Sequence, residues 1–150
     1  NTKAVNEPEF IKMASQKYGA QCVVVSIDYK LNQNGEYKVY TSGGSIESKY
    51  NPVEFALLAE KFGAGELMLT CIDNDGMRNG INLEITRQIE DEVKIAIISG
   101  GGCGLAKHFS DGFLIGNADA ICAGSFFAHR DQNLIQTRSQ ISNAGINIRV

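Results

Sequence analysis

Several positions in this 150-residue chain combine residue types able to do chemistry with the end of an apolar run that would present them. Asp28 closes the run Val23-Val24-Val25-Ser26-Ile27-Asp28. A carboxylate at such a place is partly desolvated and suits general acid/base work; an aspartate capping the following turn is the other reading. Asp73-Asn74-Asp75-Gly76 follows Leu67-Met68-Leu69-Thr70-Cys71-Ile72. Asp-Gly favours a turn, and a turn can also offer its carboxylates to hydroxyl groups. The alternating aspartates resemble a calcium loop, but the bidentate glutamate at the required spacing is missing. Gly100-Gly101-Gly102-Cys103-Gly104 and Gly124-Ser125 end two further runs. Glycines there remove every Cβ, so backbone N–H groups and the next helix N-terminus can close around an anion. Thr70 and Ser99 interrupt apolar stretches near their ends and are expected to line a pocket. Glu66 sits at the opposite end of its run, where a charge belongs at a rim.

The elements that must position these residues repeat along the chain. Lys17-Tyr18-Gly19-Ala20, Lys61-Phe62-Gly63-Ala64 and Ile115-Gly116-Asn117-Ala118 each end an amphipathic helical stretch at a glycine and lead into an apolar run. Strands are predicted at about 22–28, 66–72, 93–98 and 119–123. Their composition reads as strands buried on both faces of a parallel sheet. Helix alternating with buried strand implies parallel pairing with crossovers. Pro8 and Pro52 fall in a first helical turn, with Asn6 and Asn51 as predicted caps. Residues 82–90 and 131–142 supply further helices. Asn32-Gln33-Asn34-Gly35 predicts a β-hairpin after the first strand, running into a flexible loop at Ser42-Gly43-Gly44. Glycine exits in two successive units are where many (β/α)8 barrels hold a phosphate, after strands seven and eight. A glycine ending a strand for backbone reasons alone is the competing reading. A full barrel needs about 200 residues or more, so four such units amount to half of one.

Composition narrows the function. Hydrophobic residues make up 43% and charged residues 21%, the balance of a globular domain with a substantial core. A net charge of −3 without a basic run argues against nucleic-acid binding and against an electrostatic membrane anchor. No apolar run approaches the ~18 residues of a spanning helix, and the first residues lack the apolar core of a signal peptide. Cys22, Cys71, Cys103 and Cys122 form no C-x-x-C pair, and His108 and His129 have no ligand spacing, so no metal or cofactor is expected. Reduced thiols in a cytoplasmic setting are the expectation.

The runs around Asp28, from Gly63-Ala64-Gly65-Glu66 to Asp73-Asn74-Asp75-Gly76, at Ser99-Gly100-Gly101 and at Ala123-Gly124-Ser125-Phe126-Phe127 carry a family likeness. Together they resemble the cyclase subunit of imidazole glycerol phosphate synthase, over essentially the whole chain. That family is a (β/α)8 barrel that takes ammonia from a glutaminase subunit. It converts a phosphorylated nucleotide into imidazole glycerol phosphate and an aminoimidazole carboxamide ribonucleotide, in histidine biosynthesis. The resemblance implies that Asp28 is the acid/base on the fifth strand, and that Asn1 and Thr2 hold one substrate phosphate. It implies that Gly76, Gly100, Gly101, Gly124 and Ser125 cradle the other phosphate and that Thr70 and Asp75 belong to the pocket. Glu66 then matches the charged barrel bottom where ammonia enters from the glutaminase.

The family's second aspartate lies on a first strand that has no match here. The phosphate loop is one residue longer than usual through the third glycine and Cys103, and Met77 stands where many members have threonine. These departures resemble paralogues found with surface-polysaccharide genes, which are thought to feed ammonia into acetamidino-sugar formation. A phosphate-binding half-barrel without chemistry is the third reading. The expected architecture is α/β, a single C-terminal half-barrel of four parallel β/α units over residues 1–150, with little turnover alone. Open outer strands predict docking to the missing N-terminal half-barrel or to a second copy of the chain.

Overall fold

A computed structural model describes residues 1–128 and 134–148. Two helices lead in, α1 (Thr2–Asn6) and α2 (Glu9–Tyr18), followed by a 3-10 turn at Ala20–Cys22. The strands are β1 (Val24–Leu31), β2 (Tyr37–Thr41), β3 (Ile46–Glu47), β4 (Glu66–Cys71), β5 (Ala96–Gly100) and β6 (Ala120–Ile121). Helices α3 (Pro52–Lys61), α4 (Leu83–Glu90) and α5 (Ala106–Leu114) join the successive parallel strands. A short α6 (Ser125–Ala128) and α7 (Leu134–Asn143) follow β6. The sheet order is β3-β2-β1-β4-β5-β6, in which β1, β4, β5 and β6 run parallel. These four parallel β/α units make half of a barrel of the (β/α)8 kind.

Strand alternation sorts the side chains sharply. Val25, Ile27 and Tyr29 of β1, Leu67, Leu69 and Cys71 of β4 and Ile97 of β5 are buried against Ile11, Phe55, Ala59, Ile85 and Ile89 from the helices. The intervening Ser26, Asp28, Met68, Thr70 and Ile98 are only half-buried, and Val24 is 49% exposed. One face is therefore covered, not two as the apolar composition predicted. In a barrel the second face is covered by strands across the axis, and strands built for that interior read as apolar throughout. A smaller apolar cluster, Ile81, Cys103, Phe109, Phe126 and Ile141, joins α5, α6 and α7 beyond β6.

Local signals explain most of the boundaries. Asn51 caps α3 in a reciprocal box: its Oδ1 accepts from the Glu54 N–H at 2.8 Å and Glu54 Oε2 accepts from the Asn51 N–H at 3.1 Å. Asn82 caps α4 by accepting from the Ile85 N–H at 3.1 Å. The predicted cap at Asn6 is wrong. Asn6 ends α1, and α2 begins after Pro8 without a side-chain cap. The hairpin is present, Tyr29–Leu31 pairing antiparallel with Tyr37–Val39. Its turn is tied by Asn32 Oδ1, which accepts from the Asn34 and Glu36 N–H groups. Ser42-Gly43-Gly44 is a tight left-handed turn joining β2 to β3, a strand the sequence reading lacked. In the third repeat Asn117, not Gly116, takes the left-handed position. The outer edge of β1 is covered by β2 at its C-terminal end only, while β6 ends the sheet. The strands run at 24–31, 66–71, 96–100 and 120–121, shifted by up to three residues from the prediction. The first residues of the predicted 131–142 helix, and His129, lie outside the described residues.

Candidate functional site

The parallel strands end on one rim, and a cavity of about 380 Å³ opens there. Met68 and Thr70 form its floor from β4. Asp75 comes from the loop after β4, Gly101, Gly102 and Cys103 from the loop after β5, and Cys122 to Ser125 from the loop after β6. Its walls are largely backbone. Gly101 and Gly102 hold φ of 80° and 109°, conformations that side-chain-bearing residues rarely adopt. A Cβ on Gly102 would lie 2.3 Å from the Gly80 carbonyl oxygen.

Unpaired donors lie among the lining residues. Among the described residues, the backbone N–H groups of Gly102, Cys103, Gly124 and Ser125 meet no protein acceptor. A concave set of free N–H groups beside two hydroxyls, Thr70 and Ser125, is the arrangement that receives an anion. Asp75 is exposed on the rim, where a carboxylate suits ligand hydroxyls rather than an anion. Cys103 is buried against Cys122, and burial followed by that neighbour pushes its thiol up from the ordinary 9.0 to about 12. Burial likewise raises Cys122. Both are therefore neutral walls rather than nucleophiles near neutral pH.

Asp28 stands one strand away from the cavity. It is in register with Thr70, and Thr70 is in register with Gly100, so the three occupy one level across β1, β4 and β5. Its carboxylate is held by two neutral donors: Ser26 Oγ at 2.8 Å on Oδ1 and Asn1 Nδ2 at 2.5 Å on Oδ2. The Asn1 amide also donates to the Tyr40 carbonyl at 2.8 Å, while its Oδ1 is buried without a partner. This arrangement orients a carboxylate toward the uncovered face at the level of the cavity floor.

The sequence-selected residues thus divide. Thr70, Asp75, Gly101, Gly124 and Ser125 meet in the cavity, with Asp28 beside it. Gly100 lies beneath it as packing, since a Cβ there would meet Cys122 Sγ at 2.3 Å. Gly76 does not line the cavity and makes a left-handed turn at φ 77° with open space around it. Asn1 reaches Asp28, and Thr2 Oγ1 accepts from the Ser42 N–H at 3.0 Å, so both face the hairpin rather than the cavity. Glu66 begins β4, at the far end of the strand from the rim. Asp73 Oδ2 accepts from the Leu31 N–H at 2.9 Å and serves the hairpin. Ser99 does not line the pocket as predicted. It is buried on the helix side, 2.9 Å from Thr86 Oγ1, whose own hydroxyl donates to the Asn82 carbonyl. Met68, Cys103, Cys122 and Ala123 were not selected; the i, i+2 spacing of Met68 from Thr70 was the available signal.

Comparison with known proteins gives the family. The family model described as histidine biosynthesis protein matches residues 1–132. The chain belongs to this histidine biosynthesis family. A relative from Prochlorococcus marinus (strain MIT 9313), described as "Putative imidazole glycerol phosphate synthase subunit hisF2", is 45% identical over 150 residues. That match covers 100% of this chain and 57% of the relative, so the chain spans little more than half of that protein's length. Both the donor-lined rim and Asp28 fall within the stretch that matches the histidine biosynthesis family. No helix among the described residues is long and apolar enough to cross a membrane.

Proposed function

We propose that this chain forms the phosphate-binding and acid/base half of an ammonia-dependent lyase/cyclase of histidine biosynthesis. The observation that carries the reading is the cavity of free N–H donors with Asp28 in register beside its floor. The phosphate of a nucleotide substrate sits against Gly102, Gly124 and Ser125, and Thr70 and Asp75 contact the rest of it. Asp28, held by Asn1 and Ser26, gives or takes the proton in ring closure. Asn1 and Thr2 receive a second phosphate by exchanging their present partners for it. Ammonia from a glutaminase subunit enters at the Glu66 end.

A single carboxylate does not serve both proton transfers of such a reaction, so the isolated chain turns over slowly. The missing partner is an N-terminal half-barrel covering the open face. Its seams are apolar: Phe10, Met13 and Tyr18 on α2 and Leu134 and Ile135 on α7 are between 43% and 74% exposed. Titration with inorganic phosphate tests the site. Backbone amide signals of Gly102, Gly124 and Ser125 should shift first, and shifts confined to other loops would reject it. Turnover with ammonium, measured with and without an N-terminal half supplied in trans, tests the chemistry. Full activity of the chain alone would contradict the half-site. Rescue of a histidine auxotroph by the joined halves separates histidine biosynthesis from the sugar-modifying paralogue.

A further inference from the structure

We infer that His108 is the positioning residue of the anion loop, acting on it from behind. The inference rests on the phosphate-site reading above. Helix α5 begins at Ala106 after Leu105, which offers no side-chain cap. Its first turn therefore lacks the usual means of tying down the chain that enters it. His108 occupies the third helical position, where a glutamate would reach back in a capping box. Here imidazole Nδ1 reaches back and accepts from the Gly104 N–H at 3.0 Å. Gly104 is the last glycine of the Gly100–Gly104 loop, so this bond fixes the loop at its helix end.

The same ring also stands beside the neighbouring loop, and His108 and Gly80 line one small cavity. Its Cγ and Cδ2 lie 3.7 Å from the position of a Cβ on Gly80. Gly80 donates to the Gly102 carbonyl at 2.9 Å, and its own carbonyl accepts from Asn74 Nδ2 at 3.1 Å. Gly104 is pressed on the Arg78 backbone, where a Cβ would come within 2.3 Å of the carbonyl oxygen. His108 thus braces a two-loop layer to which the cavity-lining residues Gly102 and Cys103 belong. The Gly80–Gly102 bond turns the Gly102 carbonyl toward Gly80, and the Gly104–His108 bond sets the direction of the chain leaving Cys103. Nδ1 is the acceptor of this bond, and it is the acceptor that the loop requires of the side chain. A side chain with an acceptor at the Nδ1 position should serve, and one without should not.

Asparagine places its Oδ1 close to where Nδ1 stands, glutamine carries its oxygen a methylene further, and leucine fills space without an acceptor. Phosphate affinity, thermal midpoint and hydrogen exchange of the Gly104 amide are measured for wild type, His108→Asn, His108→Gln and His108→Leu. In wild type and His108→Asn the Gly104 amide should be protected, with inorganic phosphate affinity equal within about twofold. In His108→Leu and His108→Gln it should exchange faster, with affinity about tenfold weaker, as expected for one lost acceptor at a partly buried donor. Rescue by asparagine distinguishes positioning from simple space-filling. Unchanged Gly104 exchange in both His108→Gln and His108→Leu, or a His108→Asn as weak as they are, overturns the inference. Should His108→Leu not fold, the asparagine and glutamine pair decides it alone. Failure of wild type to bind phosphate rejects the site reading, while Gly104 exchange still reports on the histidine.

Discussion

The two faces of one sheet differ in kind. Leu67, Leu69 and Cys71 of β4 are buried under helices, while Met68 and Thr70 between them stand half-open on the face that carries Asp28. The helix face is already complete in this chain: it holds Phe55, Ile85 and Ile89, and its polar groups are paired, as in Ser99 with Thr86. The open face keeps its unpaired hydroxyls and N–H groups at the rim. Side chains that make the fold and side chains that make the site are thus one residue apart on the same strand. Stability and chemistry should respond independently to substitution on the two faces.

The sharpest break in that comparison is Asp28→Asn. In the enzyme assembled with an N-terminal half, turnover should fall by about 10²–10⁴-fold, the range for loss of a general acid or base. The thermal midpoint should move little, because asparagine keeps an oxygen for one of the two donors. A collapse in stability would place Asp28 in the fold rather than in the chemistry. Next is the pair Leu69→Ala and Met68→Ala. The first should cost about 2–5 kcal/mol by urea unfolding. The second should cost about 1 kcal/mol or less in the chain alone, and more once the open face is covered. Equal costs in the chain alone would mean that the open face is already packed.

Titration sharpens the comparison further. Burial raises the thiol of Cys103 to about 12 and also raises the Tyr29 phenol, so the folded state favours their neutral forms. Folded values above unfolded ones give stability that is complete below the ordinary thiol value of 9.0 and is lost as pH rises toward about 12. Urea midpoints should therefore decline through that window, and Cys103→Ala should flatten the part due to the thiol. The smallest effect belongs to Asn51→Ala. It removes the box at the start of α3 and should lower stability by about 1 kcal/mol without altering phosphate binding.

Much of the architecture was legible because its signals are local. Asn51-Pro52 with Glu54 announces a helix start, and Asn32 to Gly35 announces a turn through bonds made within four residues. The two glycine exits line one cavity. Asn6 misled because a cap is decided by where the helix begins, and here Asn6 closes α1 while α2 starts past Pro8. β3 was missed because two exposed residues carry too little pattern to announce a strand.

Residue types and their order along the chain determined the parallel α/β plan, the family and the donors available at each strand exit. Those properties follow from backbone propensity and from spacing within a few residues. Which polar residue enters the site was decided only by strand register. Thr70 and Ser99 occupy similar places in similar apolar runs, yet β4 and β5 align Leu69 with Ser99 and Thr70 with Gly100. A residue shares the face of its register partner, so Ser99 turns to the helices with Leu69 while Thr70 turns to the cavity. In β4 and β5 both faces carry apolar residues, so alternation within those two runs could not have revealed that choice.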